Sequence, residues 1–239
     1  MQREIGKHFM ARIGIYGGSF NPVHFGHIGM VKWVLEHTDL DEVWMLVSPK
    51  SPHKVVGSGS LQLQNAFCTG SRASSSPTSK ASFLVGTNDK FDLDTNYDER
   101  VKAARKAVKE AGLEDVVLPD GTHKRVIVSD FERNLPLPSY TANTLRELKR
   151  QHPDDEFSLL IGEDNWNVFD KWREWEYILQ NYRVLVYPRK LEVGSWKLED
   201  GRWSLEDGEA KAVVFLTDAP YFDVSSTQIR EKMKKDLHK

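Results

Sequence analysis

Short apolar runs recur along the chain: Ile13–Tyr16, Val43–Val47, Val126–Val128, Phe157–Ile161, Val184–Tyr187 and Ala212–Leu216. They are rich in Val, Ile and Leu and too short for helices, so each reads as a buried strand. Between them the apolar spacing becomes helical. Helices are predicted at roughly 25–37, 98–111, 141–151, 166–180 and 226–235. Short apolar strands alternating with helices of about 10–15 residues predict βαβ units and a parallel sheet. Right-handed crossovers then cover both faces with helices. The predicted fold class is α/β, a Rossmann-like doubly wound parallel sheet, in one domain spanning 1–239. In such sheets ligands bind beyond the carboxyl ends of the strands.

Two segments interrupt this rhythm. Residues 57–80, "GSGSLQLQNAFCTGSRASSSPTSK", hold seven serines and no acid. They predict a flexible insertion that occupies 57–97 with the residues after them. The second segment, "SWKLEDGRWSL" at 195–205, carries Asp200-Gly201 between Trp196/Leu198 and Trp203/Leu205. That pattern predicts an appended β-hairpin within 190–210.

Composition narrows the function classes. The formal net charge is −2 and no basic block stands out, which argues against broad binding to nucleic acid or a membrane surface. Small anionic ligands stay open, since a neutral protein can hold a basic site. Cys68 is the sole cysteine, so an internal disulfide and a Cys-rich metal site are excluded and a reducing compartment is the default. The first residues, "MQREIGKHFMARIGIYGG", are charged and broken by Arg12, unlike a signal peptide. No run approaches the ~20 apolar residues of a membrane span. A cytoplasmic location is expected.

The chemistry concentrates in "GIYGGSFNPVHFGH", residues 14–27, where a strand hands over to a helix. Gly17 and Gly18 permit a sharp turn and a close approach to ligand. Ser19 and Asn21 place short polar side chains near the helix start, and Pro22 suits a first helical turn. His24 and His27, three apart, share a helix face close to a helix N-terminus, where free N–H groups favour anions. Two imidazoles there suit phosphate chemistry. They could equally be a structural pair; a zinc site would need a third ligand that the sequence does not offer nearby.

A second anion site lies in "VSSTQIR", 224–230. Ser225 and Gln228 have the spacing of a capping box, so a helix starts there. Ser226 and Thr227 add hydroxyls at that N-terminus, and Arg230, one turn on, can point at the same anion. The alternative is an ordinary well-capped helix. Gly162 and Asp164 follow the Phe157–Ile161 strand, and Asp164 could cap the helix after it. Trp172, Trp175 and Ile178 could form a buried helix stripe.

Taken together, "GGSFNPVHFGH" resembles the signature of the HxGH nucleotidyltransferases. "SPHK" (51–54) resembles the "PPHK" of the nicotinate/nicotinamide mononucleotide adenylyltransferases, "PSYTANTL" (138–145) their "PSYTxDTL", and "IGEDNWNVFDKWREWEYIL" (161–179) their "IGxD" block with its spaced tryptophan. "VSSTQIR" is similar to the "ISSTxIR" of the superfamily. The resemblance covers nearly the whole chain except 57–97 and about 190–210. Asn143 stands where the family often has Asp, and about 40 residues separate Lys54 from the "DERVKAARKAVKEAG" helix.

The resemblance implies adenylyl transfer from ATP to nicotinate or nicotinamide mononucleotide, giving the dinucleotide and pyrophosphate in NAD biosynthesis. It implies His24, His27, Lys54 and Arg230 as catalytic residues, acting on the phosphates. It implies Gly17, Gly18, Ser19, Phe20, Gly26, Gly162, Asp164, Ser225, Ser226 and Thr227 on ATP, and Asn21, Tyr140, Thr141 and Trp172 on the mononucleotide, with Trp172 stacking on the pyridine ring. Mg²⁺ is expected to travel with ATP, with no metal held by the protein alone. The partners implied are ATP and a pyridine mononucleotide; homo-oligomerisation stays open. Family members tell carboxylate from amide largely through backbone groups, so the choice of mononucleotide is not written in the sequence. Another HxGH adenylyltransferase, such as the phosphopantetheine enzyme, and a nucleotide-binding module without catalysis are the alternatives.

Overall fold

The computed structural model describes residues 10–49, 97–188, 204–205, 208–209 and 212–236. Strand β1 (Arg12–Gly18) lies at the centre of a seven-stranded sheet, parallel to β2 (Glu42–Val47) on one side and to β5 (Glu156–Gly162) on the other. With β3 (Val116–Val117), β4 (His123–Ser129), β6 (Arg183–Tyr187) and β9 (Val213–Phe215), the order is β3-β4-β2-β1-β5-β6-β9. Only β3 is antiparallel. The chain first builds outward from β1 through β2 to β4. It then returns to the other flank of β1 at β5. That reversal opens a crevice beyond the carboxyl ends of β1 and β5.

The central strands β1, β2, β5 and β6 are buried on both faces, which is why they read as continuous apolar runs. All six residues of β2 are buried. Val43, Met45 and Val47 face helices α1 (Phe25–His37) and α2 (Tyr97–Glu110), against Val31, Val34 and Ala104. Trp44 and Leu46 face α3 (Thr141–Gln151) and α5 (Trp175–Asn181), against Leu145, Leu148 and Ile178. Gly14 marks where β1 comes close to its neighbours: a Cβ there would lie 2.6 Å from Leu40 Cδ1.

The predicted strands all form, with ends no more than three residues from those expected, and four of the five helices form within a residue of expectation. The fifth does not. Residues 166–180 break into α4 (Glu163–Trp166), a 3-10 turn (Phe169–Lys171) and α5. Glu174 sits between the last two in the left-handed region (φ 57°), with its carboxylate bound by Arg146. The left-handed residue interrupts the helix, so Trp172 stands in an extended link and shares no helical stripe with Trp175 and Ile178.

The expected turn at Asp200-Gly201 lies outside the described residues. The hairpin that is described pairs β7 (Ser204–Leu205) with β8 (Gly208–Glu209). Of the insertion expected at 57–97, residues 57–96 also lie outside the described residues, and Tyr97 instead opens α2, its hydroxyl donating to the Val47 carbonyl at 3.1 Å. Among the described residues no helix is long and apolar enough to cross a membrane. A last helix, α6 (Ser226–Asp236), follows β9.

Candidate active site

Gly17 and Gly18 do not make the turn that the sequence suggests. Both stay in β1, opposite Leu46 and Val47, and neither has a positive φ. The chain turns two residues later, at Phe20, whose φ is 44°. Such a conformation costs a non-glycine residue about 1–3 kcal/mol and persists only where packing enforces it. Here the Phe20 ring is buried against Tyr16 and against the edge of His27, 5.1 Å between ring centres. Phe20 therefore supports a histidine from behind, and its side chain does not line the cleft. At Gly17 a Cβ would meet nothing within 4 Å. The missing side chain leaves the floor of the crevice open.

Pro22 also falls outside the helix. The helix begins at Phe25 because His24, in extended conformation (φ −146°, ψ 169°), is its N-cap. The His24 backbone N–H donates to His27 Nδ1 at 3.2 Å, and the two rings stack at 3.6 Å. A ring nitrogen that accepts carries no proton, so with this bond the His27 proton resides on Nε2. His27 is itself buried. The pair lies beside the free N–H groups of the α1 N-terminus, which favour an anion.

The second helix N-terminus docks onto the first. In α6 the capping box forms as the sequence suggests: the Ser225 N–H donates to Gln228 Oε1 at 2.8 Å, and the Gln228 N–H to Ser225 Oγ at 3.2 Å. Ser226 Oγ donates to the Pro22 carbonyl at 3.0 Å. Arg230 donates to the Asn21 carbonyl and, at 3.0 Å, to Thr227 Oγ1. Gly26 allows the approach, since a Cβ there would lie 2.7 Å from Val224 and 3.1 Å from the His24 ring. A small cavity lined by His24, Gly26, His27, Val224 and Tyr187 remains between the helices.

Tyr16 borders this cavity and also a larger one, so the two adjoin. The larger cleft, about 370 Å³, runs beyond the ends of β1 and β5. Gly17, Gly18 and Ser19 line one side; Tyr140, Thr141, Lys171, Trp172 and Arg173 line the other. Tyr140 is the N-cap of α3 and Thr141 its first residue, with no side-chain capping bond. Trp172 rests on Phe169 at 5.2 Å between rings. Gly162 is the buried N-cap of α4. Asp164 lies inside that helix rather than capping it, and is exposed; the residue that reaches the cleft is Asn165. Lys54 lies outside the described residues.

The Cytidylyltransferase-like family model matches residues 15–64 and 87–232, both helix N-termini included. The chain belongs to this family. A relative from Bacteroides fragilis named "Probable nicotinate-nucleotide adenylyltransferase" is 33% identical over 222 residues, 93% of this chain and 82% of the relative. A relative of the same name from Bacteroides thetaiotaomicron is 32% identical over 228 residues, 95% of this chain and 84% of its own. Among solved structures, the Plasmodium falciparum nicotinic acid mononucleotide adenylyltransferase complexed with NaAD superposes with a TM-score of 0.56 at 16% identity. That match covers 92% of this chain and 83% of the other. At that identity the likeness speaks to the fold alone.

This member of the cytidylyltransferase-like family also carries a buried polar network that its motifs do not announce. Arg100 of α2 is buried and donates to three carbonyls: Ser19 at 2.6 Å, Ser48 at 3.0 Å and Pro49 at 3.4 Å. It ties the end of β1 to the end of β2. Glu132, also buried, accepts from Ser48 Oγ at 2.7 Å and from Thr144 Oγ1 of α3 at 2.9 Å. Burial pushes its carboxyl above the ordinary range, against the pull of those two hydroxyls. Ser48 is thus the junction between the Ser19 side of the cleft and α3. An arginine in a charged amphipathic helix and a lone Glu in a turn give no sequence signal of such burial.

Proposed function

We propose that this chain is a nicotinate/nicotinamide-nucleotide adenylyltransferase, a single nucleotidyltransferase domain acting in the cytoplasm. A phosphate oxygen of the mononucleotide attacks the α-phosphorus of ATP. The bond from that phosphorus to the bridging oxygen breaks, and pyrophosphate leaves with the electron pair. The substrate is its own nucleophile, so the protein's contribution is positioning and charge stabilisation. The observation that carries the reading is the junction at Tyr16. A histidine pair between two helix N-termini adjoins a cleft with an open glycine floor and an aromatic far wall.

In this reading His24 and His27 donate to charge that develops on the transferred and departing phosphates. Gly17, Gly18 and Gly26 let the nucleotide approach the backbone, and Ser19, Ser225, Ser226 and Thr227 supply neutral donors. Arg230 and Lys54 hold the outer phosphates. Phe20 keeps its place at the ATP side by setting the His27 ring, and Gly162 and Asp164 belong to the adenosine wall. Asn21, Tyr140, Thr141 and Trp172 receive the mononucleotide. Mg²⁺ enters on the ATP phosphates as part of the substrate. The names of the Bacteroides relatives support the same assignment.

The test is pyrophosphate release from MgATP with nicotinate mononucleotide, nicotinamide mononucleotide or 4′-phosphopantetheine as acceptor. Turnover with a pyridine mononucleotide is expected. Turnover with phosphopantetheine alone, or with none of the three, overturns the assignment.

A further inference from the structure

Arg100 borders neither cavity, yet two strand ends that line the larger cleft hang on it. One terminal nitrogen, Nη1, donates to the Ser19 carbonyl at 2.6 Å and to the Ser48 carbonyl at 3.0 Å. It reaches them from α2, 81 and 52 residues away along the chain. The pairing of β1 with β2 ends at Gly18 and Val47, and the Ser48 N–H adds one bond to the Gly18 carbonyl at 2.9 Å. Beyond that point the guanidinium bridges the two chains.

Each end of the bridge leads to one side of the site. The Ser19 carbonyl belongs to the peptide that enters Phe20, the left-handed residue (φ 44°). Holding it fixes the plane of that peptide, and the turn sets the Phe20 ring against His27. The Ser48 end leads the other way. Ser48 Oγ donates to Glu132, Thr144 Oγ1 donates to the same carboxylate, and Thr144 lies in α3, whose start places Tyr140 and Thr141 on the opposite wall. Tyr97, one turn earlier in α2, holds a different carbonyl: that of Val47, inside the strand pairing, at 3.1 Å. It belongs to the same helix and grips the same strand, but it bridges nothing at the cleft.

We propose that Arg100 is a positioning residue for the phosphoryl chemistry: by bridging Ser19 and Ser48 it sets the separation between the histidine corner and the wall that receives the mononucleotide. The inference rests on the adenylyltransferase reading above. Attack of one phosphate on another requires both to be held at a fixed distance and angle, and a misplacement of about 1 Å costs on the order of 100-fold in rate. A guanidinium suits the task. It is planar, its N–H directions are fixed, and it stays protonated, so the bridge keeps one length.

The test compares Arg100→Lys, Arg100→Gln and Tyr97→Phe with the wild type, using MgATP and the pyridine mononucleotide that the wild type turns over faster. Lys and Gln keep donors for the carbonyls and lose the planar fork. In both Arg100 variants kcat should fall about 10- to 100-fold, while KM for ATP and for the mononucleotide move much less. Tyr97→Phe loses one hydrogen bond from the same helix, so it should lower the melting temperature and leave kcat unchanged. Turnover is measured well below each melting temperature, on protein that circular dichroism shows to be folded. Wild-type kcat in the folded Arg100 variants would overturn the proposal. So would a kcat loss in Tyr97→Phe as large as theirs, or the failure of both Arg100 variants to fold, since either result makes Arg100 a structural pin and nothing more. Wild-type enzyme that turns over neither mononucleotide would instead sink the adenylyltransferase reading, before any variant is made.

Discussion

Removing the Glu132 carboxylate in two ways separates its hydrogen bonds from its charge. Glu132→Ala deletes the acceptors of Ser48 and Thr144, at 2.7 and 2.9 Å, and leaves a hole in a buried position. Hydrogen bonds to a charged group are worth about 1.5–3 kcal/mol each. Two mitigations reduce the loss: Thr144 Oγ1 already lies 3.4 Å from the Tyr140 carbonyl, and the half-buried Ser48 can reach water. A destabilisation of about 2–4 kcal/mol is expected. Glu132→Gln keeps the shape. Its oxygen accepts from one hydroxyl and its nitrogen donates to the other, which can rotate to receive it. It also removes a charge that burial disfavours.

The pH dependence gives the sign. A carboxyl whose folded pKa is raised favours the native state below its unfolded value, near 4.3, and loses that contribution as pH rises through the folded value. The Gln variant has no such dependence at this position. Its stability relative to wild type should therefore grow from about pH 5 upward and level off once Glu132 is ionised in the folded protein. Urea unfolding of all three proteins at several pH values between about 5 and 8 measures this. Comparing variants cancels opposing groups such as Asp39, whose carboxyl the Arg183 guanidinium holds below the usual range. Gln as harmful as Ala at the alkaline end, with a gap to wild type that does not move with pH, would refute the reasoning and show that the network needs the charge.

Three further outcomes follow from the site. His27→Ala should lower kcat by about 100-fold or more while ATP still binds, because the lost Nε2–H acts on developing charge; near wild-type turnover of the folded variant would count against it. Gly26→Ala should also lower kcat, since its Cβ cannot coexist with Val224 at 2.7 Å and the His24 ring at 3.1 Å; single-turnover kinetics would show whether the chemical step has slowed. Trp172→Ala should raise KM for the pyridine mononucleotide about 3- to 30-fold, the factor implied by a cation–aromatic contact of roughly 0.5–2 kcal/mol, and move KM for ATP much less. A loss of ATP affinity with mononucleotide affinity kept would assign Trp172 to the other half of the cleft.

The sequence alone determined what depends on local spacing. Its apolar runs fixed six strands because a sheet buried on both faces demands unbroken hydrophobicity, and Ser225-x-x-Gln228 marked a helix start because a capping box closes within one turn. The histidine pair was legible for the same reason, since residues three apart at a helix start are neighbours on one face, and here the two rings stack. Local spacing misled where a distant residue decided. Periodicity could not reveal that Glu174 would turn left-handed beside Arg146 and release Trp172 to the cleft wall. It could not separate the glycines that give room, Gly17 and Gly26, from a glycine turn, because the room is defined by Val224 and by open space across the fold. Least visible were Arg100 and Glu132. Charged residues in a polar context read as surface, and only the meeting of β1, β2 and α3 supplies the carbonyls and hydroxyls that allow their burial.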